Sequence, residues 1–148
     1  MGYERLFHYT HSVDIAQAIA QSGVLIPNAP AIPAGIGIPE GYCEARVNLT
    51  TITPEEGVHA IQSGTGLVVK PEFGLEMLID TSKHRLSQLF PDALPRSYHI
   101  IGDEPVTAKV TRTWNVERSQ KRAEQGWRFK RFGSNLQYLS IALAPGNL

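Results

Sequence analysis

Between Arg5 and Pro27 the chain spells out a strand, a capped helix and a second extended segment, and this unit constrains the fold more than any other stretch. Arg5 to Thr10 is rich in Leu, Phe and Tyr, residues that suit a pleated, partly buried surface. Ser12 offers a hydroxyl to the orphan amides of a helix N-terminus, and Asp14 falls in the first turn, where the helix dipole favours negative charge. Ile15, Ala16, Ile19 and Ala20 recur at the spacing of one helical face, which predicts a core-facing stripe. Gly23 suits a left-handed C-cap, and Val24-Leu25-Ile26-Pro27 leads out as extended chain.

The next stretch cannot continue that regularity. Pro27, Pro30, Pro33 and Pro39 alternate with Gly35, Gly37 and Gly41, so residues 27–42 form neither helix nor central strand. A loop of this length is either a lid or substrate-contacting loop, or a surface excursion without a role. Arg46 to Thr51 then reads as a strand. Thr53-Pro54-Glu55-Glu56 is a capping box with proline at the first helical position, opening a short helix that Gly64 is expected to close. Leu67-Val68-Val69, Leu75 to Asp80, Tyr98 to Ile101 and Val106 to Thr113 read as strands, with a turn at Gly102-Asp103. Val116 to Gln125 is a polar helix or an exposed loop. Trp127 to Phe132 and Leu136 to Leu143 read as a hairpin around Gly133-Ser134-Asn135. No repeat or compositional break divides the chain. The expectation is a single α+β domain over residues 1–148, with two early helices and mostly short strands.

At 42% hydrophobic and 19% charged residues, the chain has the balance of a globular protein and not of a disordered one. Its 14 Lys+Arg are matched by 14 Asp+Glu, which excludes a uniformly basic nucleic-acid binder. The neutrality is uneven, however. Arg118, Lys121, Arg122, Arg128, Lys130 and Arg131 cluster near the C-terminus, interleaved with Trp127 and Phe129. They form either a solvated face or a patch that meets a nucleic-acid or acidic protein target. Trp114 and Trp127 read as core or sheet-face residues ahead of stacking platforms. The lone Cys43 excludes an intramolecular disulfide. The N-terminus lacks a signal-peptide pattern, and no stretch approaches the roughly 20 apolar residues that span a bilayer. The expected location is the cytoplasm, or that of a target cell into which the protein is delivered, with no membrane partner.

Five histidines, at positions 8, 11, 59, 84 and 99, are candidates for chemistry. No pair has the helical i, i+4 spacing of a zinc motif, and His8 and His11 fall on opposite faces if the first strand continues. A metal site is not expected. There is no Gly-x-Ser-x-Gly elbow, and Gly35 to Gly41 lacks the Gly-Lys-Ser/Thr end of a phosphate loop.

Leu6-Phe7-His8-Tyr9-Thr10, then a capped helix, then Ser22-Gly23-Val24-Leu25-Ile26-Pro27 resembles the first motif of the ADP-ribosyltransferase superfamily, in its histidine-bearing branch of toxin-like and polymerase-like members. Val47-Asn48-Leu49-Thr50-Thr51, followed by a Pro/Glu turn into a helix, resembles the second. The resemblance implies a split β-sandwich and NAD as a substrate lying between its two sheets. It implies that His8 hydrogen-bonds a ribose, that Tyr9 and Thr10 shape the pocket wall, and that Thr50 and Thr51 support the nicotinamide-side ribose. An imidazole suits the first task, since a neutral ring carries one donor and one acceptor. The family's aromatic for stacking nicotinamide has no counterpart in residues 44–62.

The third family element is a glutamate that stabilises positive charge on the ribose as nicotinamide leaves. Candidates are Glu117, after Thr113-Trp114-Asn115-Val116, then Glu104, and Gln137 in Asn135-Leu136-Gln137. That last segment has the family's Glu/Gln-x-Glu spacing but no carboxylate. The function expected is therefore ADP-ribosyl transfer from NAD to a protein or nucleic acid. One alternative is a metal-independent ribonuclease, with His8 or His11 as base, His84 or His99 as acid and the basic cluster on phosphates. The other is a module that binds nucleotide without turnover.

Overall fold

In the computed structural model, which describes residues 2–28 and 44–125 together with the backbone of 127–132 and 135–140, the opening unit forms β1 Tyr3–Thr10, α1 Val13–Ser22 and β2 Val24–Leu25. Ser12 caps α1 by accepting from the Ile15 amide at 3.3 Å. Gly23 closes it at φ 68°, in the left-handed region. A Cβ at Gly23 would also stand 2.7 Å from the Ala108 carbonyl oxygen, so glycine is required there on two counts. The helix buries a narrower stripe than the spacing suggests. Ala16 and Ile19 enter the core, whereas Ile15 stays 48% exposed.

The chain continues with β3 Arg46–Thr50, a 3-10 turn Pro54–Glu56 running into α2 Gly57–Thr65, and β4 Phe73–Asp80. Then follow β5 Ser97–Ile101, β6 Val106–Asn115, α3 Val116–Glu124, β7 Trp127–Phe132 and β8 Asn135–Ser140. This is an α+β arrangement built on a curled, antiparallel six-stranded sheet in the order β2-β6-β4-β1-β3-β5, with β7 and β8 as a separate hairpin. Among the described residues no helix is long and apolar enough to cross a membrane.

Two expectations change, and one open alternative is decided. Leu67-Val68-Val69 forms no strand; it follows α2 as irregular chain, with Val68 92% exposed. Gly64 lies inside α2, and Gly66, at φ 74°, caps it. The polar run 116–125 resolves into α3, capped by the Asn115 side chain accepting from the Arg118 amide at 2.9 Å.

β1 is central, and its second half is covered on both faces, by α1 on one side and by α2 and α3 on the other. Leu6 joins Val47, Leu49, Leu75 and Met77 beneath Ala16 and Ile19 of α1. Phe7 and Tyr9, on the other face, join Ile52, Ile61, Trp114 and Val116 against α2 and α3. Glu76 is fully buried in β4 beside Phe7 and pairs with Arg5 at 2.5 Å. A bulge makes Thr111 the extra residue of β6 and aims its hydroxyl onto the same Glu76 oxygen.

Candidate functional site

The sheet is weakest where β1 meets β3. β1 pairs with β4 along its whole length, and β3 with β5 along its own, but β1 and β3 share one registered pair, Phe7 with Thr50. Beyond it the imidazole of His8 reaches the Asn48 carbonyl, with Nδ1 2.8 Å from the oxygen. A carbonyl only accepts, so Nδ1 carries the hydrogen. Desolvation pushes the His8 pKa down, against a smaller upward pull from the Asn48 carbonyl. The ring is therefore neutral at pH 7, and Nε2 presents a lone pair.

A cleft of about 390 Å³ opens at this separation. Its polar wall is the face of β3 and β5 turned away from α1. Residues alternate along a strand, so Asn48 and Thr50 share that face while Val47 and Leu49 enter the core. Register places His99 opposite Asn48, and Ser97 opposite Thr50. Arg46 also lines the cleft and donates through Nε to Asn48 Oδ1 at 3.1 Å, which leaves the Asn48 amide N–H groups as donors. His99 is 4% exposed, and its Nδ1 is buried without a hydrogen-bond partner. Desolvation, helped by the nearby Arg46 charge and against a smaller upward pull from the Ser87 backbone, lowers its pKa to about 4. The apolar wall comes from Leu67, Val68 and Val69 after α2, and from Phe90 and Leu94 before β5.

A second cavity, of about 560 Å³, adjoins the first. His8, Ile15, Asn28, Arg46 and Asn48 line both. Both volumes fall in the range of roughly 300–1,000 Å³ usual for small-molecule sites.

The structure brings some predicted residues together and leaves others apart. His8, Tyr9, Thr10 and Thr50 all line the cleft. Three of them are already committed to the fold. Tyr9 donates its hydroxyl to the Ile52 carbonyl at 2.5 Å. Thr10 Oγ1 accepts from the Ser12 amide at 3.2 Å. Thr50 donates to the Arg96 carbonyl at 2.8 Å and accepts from the Ile52 amide at 3.1 Å. Thr51 is not part of the lining; its hydroxyl accepts from Arg96 Nε at 3.0 Å, and Arg96 in turn grips Glu56 with both terminal nitrogens. Arg96 is thereby the main influence holding the Glu56 carboxyl below its ordinary range, against desolvation.

No Asp or Glu lines either cavity among the described residues. Glu117 is exposed on the first turn of α3, 3.5 Å from Lys121 and 3.9 Å from Lys70. Glu104 is exposed in the turn before β6. Gln137 stands opposite Lys130 in the hairpin, and its side chain lies outside the described residues. Arg118, Lys121 and Arg122 are exposed on α3; Arg128, Lys130 and Arg131 belong to β7, their side chains also outside the described residues. So do residues 29–43, and with them most of the proline- and glycine-rich segment 27–42. Of the histidines considered for acid–base work, His8, His11 and His99 line the cleft and His84 does not. Among the described residues, no group of three or more His, Cys, Asp or Glu side chains could hold a metal ion.

Sequence reasoning passed over Arg46 and Asn48 as site residues, although the alternation Arg46-Val47-Asn48-Leu49-Thr50 already separates a polar from an apolar face. Phe90 also lines the cleft, and nothing in the local sequence marks it as a site residue. Comparison with family models, with curated proteins and with solved structures finds no match to this chain.

Proposed function

We propose that the chain binds NAD where β1 and β3 part, the sheet serving as the split β-sandwich of an ADP-ribosyltransferase-like protein. The observation that carries this reading is His8, a first-strand histidine fixed as the Nδ1–H tautomer at the opening between two strands. Its Nε2 accepts a ribose hydroxyl. Arg46, at the junction of the two cavities, meets the pyrophosphate with charge-assisted hydrogen bonds. Leu67, Leu94 and Phe90 supply an apolar wall for a flat ring.

Transfer asks for more than binding, because positive charge grows on the ribose as nicotinamide leaves. With no described carboxylate in the lining, binding is the step the geometry supports best, and nicotinamide release is its separate readout. Calorimetry is expected to give a submillimolar Kd for NAD, weakened at least about tenfold by His8→Ala with Tm retained, as loss of a ligand hydrogen bond requires. Absence of heat at millimolar NAD refutes the proposal. Multiple turnovers of nicotinamide release assign transfer or hydrolysis; binding without release assigns a nucleotide-binding module.

Three histidines beside Arg46 also favour a second reading, metal-independent RNA cleavage. That chemistry needs one imidazole charged as a general acid near neutrality. His8 and His99 are both held neutral, which weighs against it. RNA incubated with the protein in EDTA is expected to stay intact.

A further inference from the structure

The two cavities differ in how they can recognise a ring. The first contains His99, a buried imidazole with an unpartnered Nδ1, beside Asn48 and Ser97. The second, between α1 and the β2–β3 side of the sheet, is walled by Ala18, Ile19, Val24, Leu25, Ile26 and Val47. Its polar members sit at the shared junction, apart from Ser22, whose hydroxyl is committed to the Ala18 carbonyl at 2.7 Å and the Val24 amide at 3.1 Å. Away from the junction, no described side chain is left there to hydrogen-bond the edge of a base. Ile15 and Ile26 at its rim are 48% and 66% exposed, so a ring seated on this wall keeps its polar edge in water.

Resting on the NAD reading above, we propose that the cleft selects its dinucleotide by one end only. The nicotinamide carboxamide lies in the His99 cavity and is read by hydrogen bonds. The other base lies in the aliphatic cavity and is not read. The substrate class is thus nicotinamide dinucleotides of any purine base. A carboxamide has two donors and an acceptor and is costly to bury unpaired, so it belongs where the buried His99 Nδ1 awaits a partner and the Asn48 side chain stands beside it. A purine offers broad faces to aliphatic side chains, and a site without directed hydrogen bonds cannot reject a ring of the same shape. Arg46 and His8 at the junction then face the pyrophosphate and ribose that link the two rings.

Calorimetry on the intact chain tests this with NAD, its hypoxanthine and guanine analogues, and the analogue carrying an acetyl group in place of the carboxamide. The base analogues are expected to bind within about threefold of NAD, and the acetyl analogue about tenfold more weakly. Ala18→Trp, at an exposed α1 position facing the aliphatic cavity, is expected to weaken all the dinucleotides while leaving nicotinamide mononucleotide unchanged. NAD binding with the guanine analogue more than about thirtyfold weaker overturns the inference and leaves the NAD reading standing. So does a loss of mononucleotide binding in Ala18→Trp, which would reverse the two ends. If no dinucleotide binds, the NAD reading itself falls.

Discussion

Tyr9→Phe separates what builds the cleft from what touches a ligand. Tyr9 is 8% exposed, lies stacked 6.2 Å from Phe7 and donates its hydroxyl to the Ile52 carbonyl at 2.5 Å. Ile52 is itself buried, so removing the hydroxyl deprives that carbonyl of its donor where water does not replace it. The cost of such an orphan is about 1–3 kcal/mol. For a chain of this size, each kcal/mol lowers Tm by roughly 2–4 °C. The Tm of Tyr9→Phe should therefore fall by roughly 2–12 °C, while NAD affinity changes less than about threefold. The ring stays, and with it the cleft wall. An unchanged Tm refutes the buried hydrogen bond. An unchanged Tm with NAD binding lost would instead place the hydroxyl on the ligand.

Other perturbations have defined signs. Gly74→Ala puts a Cβ 2.6 Å from Tyr9 Cε1 and 3.3 Å from Pro54 Cγ, and the pinned Tyr9 ring cannot yield, so denaturant unfolding should show a loss of about 1–3 kcal/mol. His99 stays neutral down to about pH 4, so the unfolded chain takes up its proton first as pH falls below the ordinary 6.5. The resulting stability is complete above about pH 6.5 and is lost towards pH 4, by about 3 kcal/mol, with His8 acting in the same direction. Urea unfolding across that window checks the slope, which His99→Gln should flatten. Glu117→Gln breaks only exposed ion pairs and should leave stability within about 0.5 kcal/mol and NAD binding unchanged, by unfolding and calorimetry.

Local chemistry made parts of the fold legible. Ser12 and Gly23 mark the ends of α1 because orphan amides and a positive φ each demand particular residues. The same rule misleads at Gly64, where glycine answers to packing and not to a cap: a Cβ there would stand 2.2 Å from Ile52 Cδ1. Leu67-Val68-Val69 has strand-like composition, yet a strand needs a partner edge, and none among the described residues pairs with it. The sheet order could not be read locally, since β1 pairs with strands some 40 and 70 residues away and only tertiary packing selects them. At the site, His8 enters the expectation only through the resemblance carried by Leu6-Phe7-His8-Tyr9-Thr10. The tautomer that makes it an acceptor depends on the Asn48 carbonyl, and the neutrality of His99 depends on burial. Neither is a property of sequence.

The central claim is that His8 holds Nδ1–H in the free protein and offers Nε2 to NAD. Long-range nitrogen–proton NMR of the labelled imidazole reads both nitrogens directly. The expected result is a protonated Nδ1 at pH 7 with an Nε2 resonance that moves saturably as NAD is added. A protonated Nε2 in the free protein, or no movement at millimolar NAD, would contradict it.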